Sequence, residues 1–272
     1  MLQFIKNELA KFNIELVSSL SLEECKITRP YLLERCGIES GSAIIFTVPY
    51  LTSVSAGERN ISSYSVSRDY HFFFANLFDT LIPILKEMYP NNKFAGFTDH
   101  SPIDEIHASA ISGLGVIGKN HLLITEKYSS YIFIGEILTD AILPSSAGEI
   151  KECVNCGKCL LACPVSMEIG RCLSALTQKK GELTDSEKEA IKSHNCAWGC
   201  DRCQECCPYT VKAKANGTIY SKIAFFNEAL TPTLTSELVE NMSDEEFKHR
   251  AYSWRGKKTV LRNLEILEGK EK

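Results

Sequence analysis

The chain has 272 residues, of which 44% are hydrophobic and 24% charged, and its formal net charge is -4. This length supports one substantial α/β domain and a smaller second domain. The negative balance excludes a global basic field of the kind that attracts nucleic acid. No apolar run approaches the ~20 residues of a membrane-spanning helix. The first residues do not resemble a secretory leader, so we expect a cytoplasmic protein with reduced thiols.

Residues 1–148 alternate helix and strand signals. The run 43–48 (AIIFTV) predicts one buried strand, and 131–138 (YIFIGEIL) predicts another. Between them, residues 70–88 carry apolar side chains at helical spacing, which predicts a helix with its apolar stripe in the core and a kink at Pro83. A turn-rich break at 144–148 ends this part.

A short helix is predicted next to residue 101. Ser101 is a suitable N-cap, Pro102 suits the first helical position, and Asp104 sits where the acid of a capping box reaches back. Gly113 should end this helix.

The glycine run 113–118 has the spacing of a dinucleotide-binding fingerprint, and Glu136 follows at the distance of a ribose-binding acid. That fingerprint must leave a strand and open a helix, whereas this run leaves a helix and enters the apolar segment 122–125. We therefore reject dinucleotide binding and expect the glycines to let the backbone approach a large ligand closely.

Ten of the twelve cysteines lie between Cys153 and Pro208, and eight of these form the motifs C-x2-C-x2-C-x3-C-P and C-x2-C-x2-C-C-P. In bacterial two-cluster ferredoxins, three closely spaced thiolates bind one 4Fe-4S cluster and the cysteine before proline binds the other. A zinc ribbon requires neither a third close cysteine nor the cysteine-proline step. The pattern predicts two 4Fe-4S clusters close enough to exchange electrons.

From Ile219 onward the pattern returns to helices, with a loop at Pro232. We therefore predict three parts: 1–148, 149–218 with the clusters, and a C-terminal helical segment, 219–272. Cations gather late in the chain, and a solvated helix face explains them as well as an RNA-binding surface does: Lys248, Arg250, Arg255, Lys257, Lys258 and Arg262.

Six motifs occur in order along the chain: 64–71 (YSVSRDYH), 98–102 (TDHSP), 113–120 (GLGVIGKN), 135–138 (GEIL), 171–174 (RCLS) and 199–208 (GCDRCQECCP). Together with 261–263 (LRN) they resemble the epoxyqueuosine reductase family, which is related to the reductive dehalogenases. The resemblance implies an α+β protein with a nitroreductase-like corrinoid-binding α/β domain and a bacterial ferredoxin-like module with two 4Fe-4S clusters. It also implies cobalamin as cofactor and reduction of epoxyqueuosine in tRNA to queuosine.

The resemblance assigns the cluster ligands. One cluster takes Cys153, Cys156, Cys159 and Cys207, and the other takes Cys163, Cys172, Cys200 and Cys203. Cys196 and Cys206 are then spare. The spacing of residues 200–206 equally allows Cys206 to replace Cys172 in the second cluster, so both assignments stay open. Cys25 and Cys36 are expected to be buried apolar side chains.

Asp99 is implied as the proton donor that follows electron transfer to the substrate. A carboxyl group can serve in this way if partial burial raises its pKa toward neutrality. The alternative is a turn residue before a helix. The resemblance places further corrinoid contacts at Tyr64, Lys119, Asn120, Gly135, Ser174 and Asp201, besides Asp99.

Two departures from the family concern the RNA. Ile106 and Ile111 occupy positions where we expect cations, and the chain ends at Lys272, whereas longer members continue into helical repeats that help hold tRNA. We therefore expect a short form with tRNA as the implied substrate and a flavodoxin-type or ferredoxin-type electron donor. The alternatives are a reductase of another small electrophile, or an electron-transfer or corrinoid-activating protein.

Overall fold

The computed structural model describes residues 1–165, 167 and 171–270. Contacts divide the chain into two compact units. The first comprises Met1–Pro49 and His71–Asn155, and the second comprises Tyr50–Tyr70 and the chain from Cys156 onward. Residues 219–270 thus share a unit with most of the cysteine segment. The three-part division by function stays a prediction, and the last two residues of its third part lie outside the described residues.

The first unit is built on a four-stranded antiparallel sheet in the order β1-β2-β6-β3. A separate antiparallel pair, β4 and β5, lies between β3 and β6 in sequence. The strands are β1 (Val17–Ser21), β2 (Ser42–Pro49), β3 (Phe94–Phe97), β4 (Val116–Ile117), β5 (Leu123–Ile124) and β6 (Ile132–Thr139). The strands predicted at 43–48 and 131–138 are confirmed as β2 and β6.

Helices cover both faces of this sheet. They are α1 (Leu2–Lys11), α2 (Pro30–Cys36), α3 (Tyr70–Met88) and α4 (Glu105–Ile111), with a short 3-10 helix at Leu22–Glu24. Neighbouring residues of β2 point to opposite faces. Phe46 therefore meets Phe74 of α3, with ring centroids 6.3 Å apart, while Ile45 joins the cluster that contains Ala108 of α4. The predicted helix at 70–88 is confirmed, and Pro83 lies inside it.

The second unit is mainly helical. Its helices are α5 (Lys158–Ala162), α6 (Leu173–Gln178), α7 (Asp185–Ser193), α8 (Arg202–Glu205), α9 (Pro208–Ala215), α10 (Ser236–Asn241), α11 (Asp244–Lys248) and α12 (Lys257–Glu268). Short 3-10 helices occur at Ser63–Ser65, Ala224–Asn227 and Ser253–Arg255. Trp198 and Tyr252 are fully buried at its centre. Pro232 lies in a loop, as predicted.

The described structure mixes α-helices with an antiparallel sheet, which agrees with the predicted α+β class at this coarse level. The nitroreductase-like and ferredoxin-like assignments stay predictions. Among the described residues, no helix combines the length and apolar character needed to cross a membrane.

Candidate functional site

Asp99 is the middle residue of a tight three-residue turn. The backbone N–H of His100 donates to the carbonyl oxygen of Thr98 at 2.6 Å, and Asp99 has φ 61°, in the left-handed region. A γ-turn of this hand is rare, and strained backbone of this kind costs on the order of 1–3 kcal/mol. The Thr98 hydroxyl donates to the carbonyl oxygen of Ile134 at 2.8 Å, so the turn is tied to β6.

Two carboxyl groups near this turn are shielded from solvent, that of Glu105 in part and that of Glu136 fully. Glu105 accepts a hydrogen bond from the backbone N–H of Asp99, and Glu136, which is fully buried in β6, accepts one from the hydroxyl of Ser101. Burial, together with the negative charges of Asp99 and Asp104, raises the pKa of Glu105 to about 7. Burial also raises the pKa of Glu136 well above its ordinary value, although the bond from Ser101 opposes that shift. Glu105 can therefore hold a proton near neutral pH, and burial favours the protonated form of Glu136.

The carboxyl group of Asp99 itself is open to solvent. Its side chain is 64% exposed, and its Oδ2 lies 3.8 Å from Nε2 of His71. The partial burial that we expected for the proton donor falls instead on Glu105 and Glu136. Glu136 has a signal in the sequence, because it is a charged residue in the middle of an apolar strand, and the dinucleotide interpretation had set it aside.

Helix α4 begins later than the sequence predicts. Its N-cap is Asp104, whose side chain accepts the backbone N–H of His107 at 3.2 Å, and Glu105 is its first residue. The prediction of Ser101 as N-cap is wrong, because residues 102–104 are not helical and Ile103 forms an isolated β-bridge with Ile27. The Ser101 hydroxyl accepts the backbone N–H of Ile103 at 3.2 Å and donates to Glu136. Gly113, with φ 80°, follows the end of the helix, as predicted.

The glycines before Lys119 are needed by the hairpin of β4 and β5. A Cβ atom on Gly115 would lie 2.6 Å from the carbonyl oxygen of Ile124, and one on Gly118 would collide with Oδ1 of Asn120. This packing explains Gly115 and Gly118 within the hairpin, and our expectation that the glycines let the backbone approach a large ligand stays a prediction. Of the two predicted corrinoid contacts that follow, Lys119 is exposed and Asn120 is partly buried. The Oδ1 atom of Asn120 is buried with no hydrogen-bond partner among the described residues.

Gly135 also has a packing reason to be a glycine. A Cβ atom there would lie 2.5 Å from the rings of Phe46 and Phe74. The aromatic rings between β2, β6 and α3 therefore fill the space that a side chain would need.

In the second unit, Asp201 is the centre of a buried hydrogen-bond network. Its carboxylate accepts the backbone N–H of Ser63 at 2.6 Å, Nε2 of Gln204 at 3.0 Å, and the hydroxyl of Ser62. Nη2 of Arg59 lies 3.0 Å from it, and both side chains of this ion pair are at most 10% exposed. Sequence analysis missed Arg59 and Ser62, because a partner 142 residues away leaves no local signal.

The two other predicted corrinoid contacts of this unit are held by neighbouring side chains. Nε1 of Trp198 donates to the hydroxyl oxygen of Tyr64 at 2.8 Å. Nε2 of Gln178 donates to Oγ of Ser174 at 2.9 Å.

None of the cysteines forms a disulfide. Among the described residues, no three His, Cys, Asp or Glu side chains are grouped to hold a single metal ion. Of the predicted cluster ligands, Cys153 belongs to the first unit and the other seven belong to the second. The structure therefore shows which residues surround each thiol within its own unit. The assignment of ligands to the two clusters stays a prediction.

Two thiols of the second unit, those of Cys206 and Cys207, lie near the same two cysteines. Burial raises the pKa of Cys206, and the thiols of Cys159, Cys207 and Cys156 raise it further. Burial likewise raises the pKa of Cys207, with Cys156 and Cys159 adding to the shift. Cys206 therefore lies beside three predicted ligands of the first cluster.

Cys172 precedes a residue of a different cluster of side chains, which includes Cys196. Leu173, which follows it at the start of α6, belongs to an apolar cluster against which Cys200 packs, and buried Cys196 belongs to the same cluster. The choice between Cys172 and Cys206 as the partner of Cys200 stays a prediction. Of the two cysteines outside the segment 153–208, Cys25 is buried as expected and Cys36 is partly exposed.

Three of the late cations are bound within the chain. Arg250 donates to the carbonyl oxygen of Ala229 at 2.6 Å, Lys257 to that of Met242 at 2.8 Å, and Arg262 to that of Lys179 at 2.7 Å. These bonds give the three cations a structural role that needs no RNA. Ile106 and Ile111, at the positions where cations were expected, pack against the core cluster under the sheet.

Comparison with known proteins gives a consistent result. No family model matches the chain. An epoxyqueuosine reductase of Gloeobacter violaceus is 33% identical over 209 residues, which are 71% of this chain and 62% of that protein. Those of Listeria monocytogenes and Bacillus subtilis are each 31% identical, over 73% of this chain. The chain is a homologue of the epoxyqueuosine reductases.

Similarity to the epoxyqueuosine reductases extends to the fold. The structure of the Streptococcus thermophilus enzyme superposes with a TM-score of 0.79 over 97% of this chain and 80% of that one, at 23% identity. A structure of an epoxyqueuosine reductase with an epoxyqueuosine-modified tRNA-Tyr stem loop gives a TM-score of 0.75. The chain spans 62%, 54% and 53% of the length of the three curated relatives named above.

Proposed function

We propose that this chain is a cobalamin-dependent iron-sulfur reductase that converts epoxyqueuosine in tRNA to queuosine. The observation that carries the proposal is the strained turn that presents Asp99, in a homologue of the epoxyqueuosine reductases. A structural neighbour from Bacillus subtilis is described with its aspartate catalytic loop swung out of the active site. Because the chain spans less than two thirds of its relatives' length, its activity, substrate and partners are all part of the proposal.

The cysteines fit two 4Fe-4S clusters. Cys156, Cys159 and Cys207 lie together, which supports them as ligands of one cluster with Cys153. Cys163, Cys172, Cys200 and Cys203 are proposed for the other, supported by the packing of Cys200 beside the residue that follows Cys172. Thiolate ligands require a reducing compartment, so a cytoplasmic location belongs to the proposal.

Among the residues proposed to contact cobalamin, Asn120 has a side-chain oxygen that lacks a hydrogen-bond donor in the described part of the chain. Oδ1 of Asn120 is buried without a partner among the described residues, and the amide groups around a corrin ring could donate to it. Tyr64, Lys119, Gly135 and Ser174 complete the proposed contacts. Asp201 enters the set on resemblance alone, because four donors already surround its carboxylate.

When bound, the clusters would carry electrons from a flavodoxin-type or ferredoxin-type donor to cobalamin, which would supply low-valent cobalt to the substrate. Reductive opening of an epoxide leaves an oxygen that must be protonated. Asp99 would donate that proton, since a carboxyl group at the tip of an exposed turn can reach a bound ligand. The turn would orient the group, because its backbone is fixed by hydrogen bonds at Thr98 and His100.

The test begins with an anaerobic titration of the cluster-containing protein with cobalamin, followed by electron paramagnetic resonance of cobalt(II). We expect a base-off signal, because the chain has no motif that supplies a histidine to cobalt. Turnover of an epoxyqueuosine-modified tRNA stem loop is then measured by mass spectrometry of its nucleosides. Asp99→Asn should lose most product while it keeps its clusters and its cobalt signal, and Asp79→Asn, at an exposed position of α3, should keep full activity.

Other outcomes would select another function. A protein that binds cobalamin but leaves the stem loop unchanged would be a reductase of a different electrophile. One that contains clusters and binds no cobalamin would be an electron carrier. Full activity of Asp99→Asn would remove Asp99 as the donor.

A further inference from the structure

The turn at Asp99 needs a specific partner to persist. Its middle residue has a side chain and a positive φ, so the folded chain must offset the strain locally. The hydrogen bond from His100 to Thr98 closes the turn, and the hydroxyl of Thr98 anchors its first residue to β6. The backbone N–H of Asp99 itself donates to the carboxyl group of Glu105.

We propose that Glu105 is the positioning residue of Asp99: by accepting the backbone N–H of Asp99, its carboxyl group holds that residue in the left-handed conformation that presents the Asp99 side chain. This proposal rests on the proposed function for the role of Asp99, whereas the hydrogen bond stands independently of it. Glu105 is the first residue of α4, so the position of its backbone is fixed by the helix and by the N-cap at Asp104.

The second carboxyl oxygen of Glu105, Oε2, does not take part in helix capping. Oε2 is buried and has no hydrogen-bond partner among the described residues, so the carboxyl group binds Asp99 through one oxygen and keeps the other dry. A buried carboxylate oxygen without a donor is costly, and a proton on it relieves that cost. The acceptor of the Asp99 N–H can thus exist in two protonation states.

The charges that face Glu105 determine which state is populated. Asp99 and Asp104 favour the protonated form, and the ionised form of Glu136 would do the same, while Arg29 favours the carboxylate. Burial dominates, and the pKa of Glu105 is about 7. A carboxylate accepts an N–H bond more strongly than a neutral acid does. The hydrogen bond from the Asp99 N–H to Glu105 therefore becomes stronger as the pH rises through neutrality.

The direct readout is the backbone amide of Asp99 in the cluster-containing, oxidised protein, labelled with [15N]aspartate. We expect its proton shift to titrate with a midpoint near pH 7 in the wild type. In Glu105→Gln the titration should vanish, while slow hydrogen exchange of the amide remains because the carboxamide oxygen still accepts. In Glu105→Ala exchange should speed up about 10-fold or more. A titration that survives in Glu105→Gln, or unchanged exchange in Glu105→Ala, would overturn the proposal.

Turnover provides the second readout. Misplacement of a reacting group by about 1 Å can cost on the order of 100-fold, so Glu105→Ala should lower kcat by about 10- to 100-fold with little change in KM. Glu105→Gln should stay within about 3-fold of the wild type and lose the limb of the pH profile near neutrality. If Glu105→Gln loses as much kcat as Glu105→Ala, acceptor geometry is not what Glu105 supplies. If Glu105→Ala does not fold, the wild type and Glu105→Gln still decide the question.

The two proposals can fail separately. In Asp99→Asn, labelled with 15N-asparagine instead, the backbone amide of residue 99 is retained, so its titration by Glu105 should persist. An active Asp99→Asn variant that shows this titration would reject Asp99 as donor and leave the hydrogen bond from Glu105 intact. If the titration is absent from the wild type and from Asp99→Asn, and Asp99→Asn is inactive, only the proposal for Glu105 is rejected.

Discussion

The hydroxyl group of Ser101 donates a hydrogen bond to the carboxyl group of Glu136, a residue with no solvent exposure at the centre of the sheet. Glu136 pairs with Ile45 of β2 and with Phe97 of β3, so apolar residues flank it on both sides. Its Oε1 atom has no hydrogen-bond partner among the described residues. Burial therefore raises the pKa of this carboxyl group and favours its protonated form, and the bond from Ser101 fixes its orientation.

The first prediction is that Glu136→Gln changes the pH dependence of stability. The pKa of Glu136 is raised in the folded state, so above the unfolded-state pKa the native protein binds more protons and is destabilised as the pH rises. The slope from this one group is about 1.4 kcal/mol per pH unit until the folded-state pKa is reached. Gln keeps an acceptor for Ser101 and does not ionise.

The measurement is the Tm of the wild type and of Glu136→Gln from about pH 4 to about pH 8. We expect similar values at the acid end and a growing advantage for the variant toward pH 8. Parallel curves would show that Glu136 is ionised in the folded protein.

The second prediction concerns the buried ion pair of Arg59 and Asp201. Removing one partner leaves an uncompensated buried charge, so Arg59→Met should destabilise the second unit by about 3–5 kcal/mol. Lys179→Met is the control, because Lys179 is 44% exposed and its pair with Glu187 should contribute less than about 1 kcal/mol. Anaerobic thermal unfolding of both variants compares them. Equal Tm values would contradict the structural role of the network around Asp201.

The third prediction separates Cys206 from Cys207, whose thiols lie beside the same two cysteines. Cys207→Ser should lose one cluster, which halves the iron content, whereas Cys206→Ser should keep both clusters. Iron analysis and electron paramagnetic resonance of the reduced protein report the outcome, with Cys36→Ser as the control outside the motifs. Loss of a cluster in Cys206→Ser would make Cys206 a cluster ligand and contradict its assignment as spare.

The fourth prediction tests why residue 135 is a glycine. A Cβ atom 2.5 Å from two aromatic rings forces a shift in a packed core, so Gly135→Ala should cost about 1–3 kcal/mol. Gly148→Ala is the control, because its Cβ atom would lie 3.9 Å from the nearest neighbour and its φ is not positive. Adding Phe74→Leu should recover part of the lost Tm. No recovery would indicate that the rings are not the cause.

Local patterns were enough to predict β2, β6 and α3, because each is a long apolar run with its own period. They failed at Ser101, because the three residues that follow it are not helical. Its hydroxyl accepts the N–H of Ile103 and also donates to Glu136. Helix capping is visible in a window of a few residues, whereas Glu136 follows 35 residues later. The bond to Glu136 could be identified only once β6 was placed beside the turn.

The candidate site shows the same limit. The resemblance pointed to Asp99, but its backbone conformation could not be predicted. Aspartate adopts a positive φ only occasionally, and no sequence pattern marks where it does so. The role of Glu105 follows from the start of α4, which the sequence placed too early. Its position as a buried acceptor could therefore not be predicted before the helix was seen.

Residues 50–70 interrupt the first unit and belong to the second, where Tyr64 and Arg59 find their partners. The chain thus passes from one unit to the other after Pro49, after Tyr70 and after Asn155. No single cut in the gene separates them, so neither half could be acquired or exchanged by simple end-to-end recombination. Because the two units alternate twice along the chain, removal of one internal segment does not separate them either.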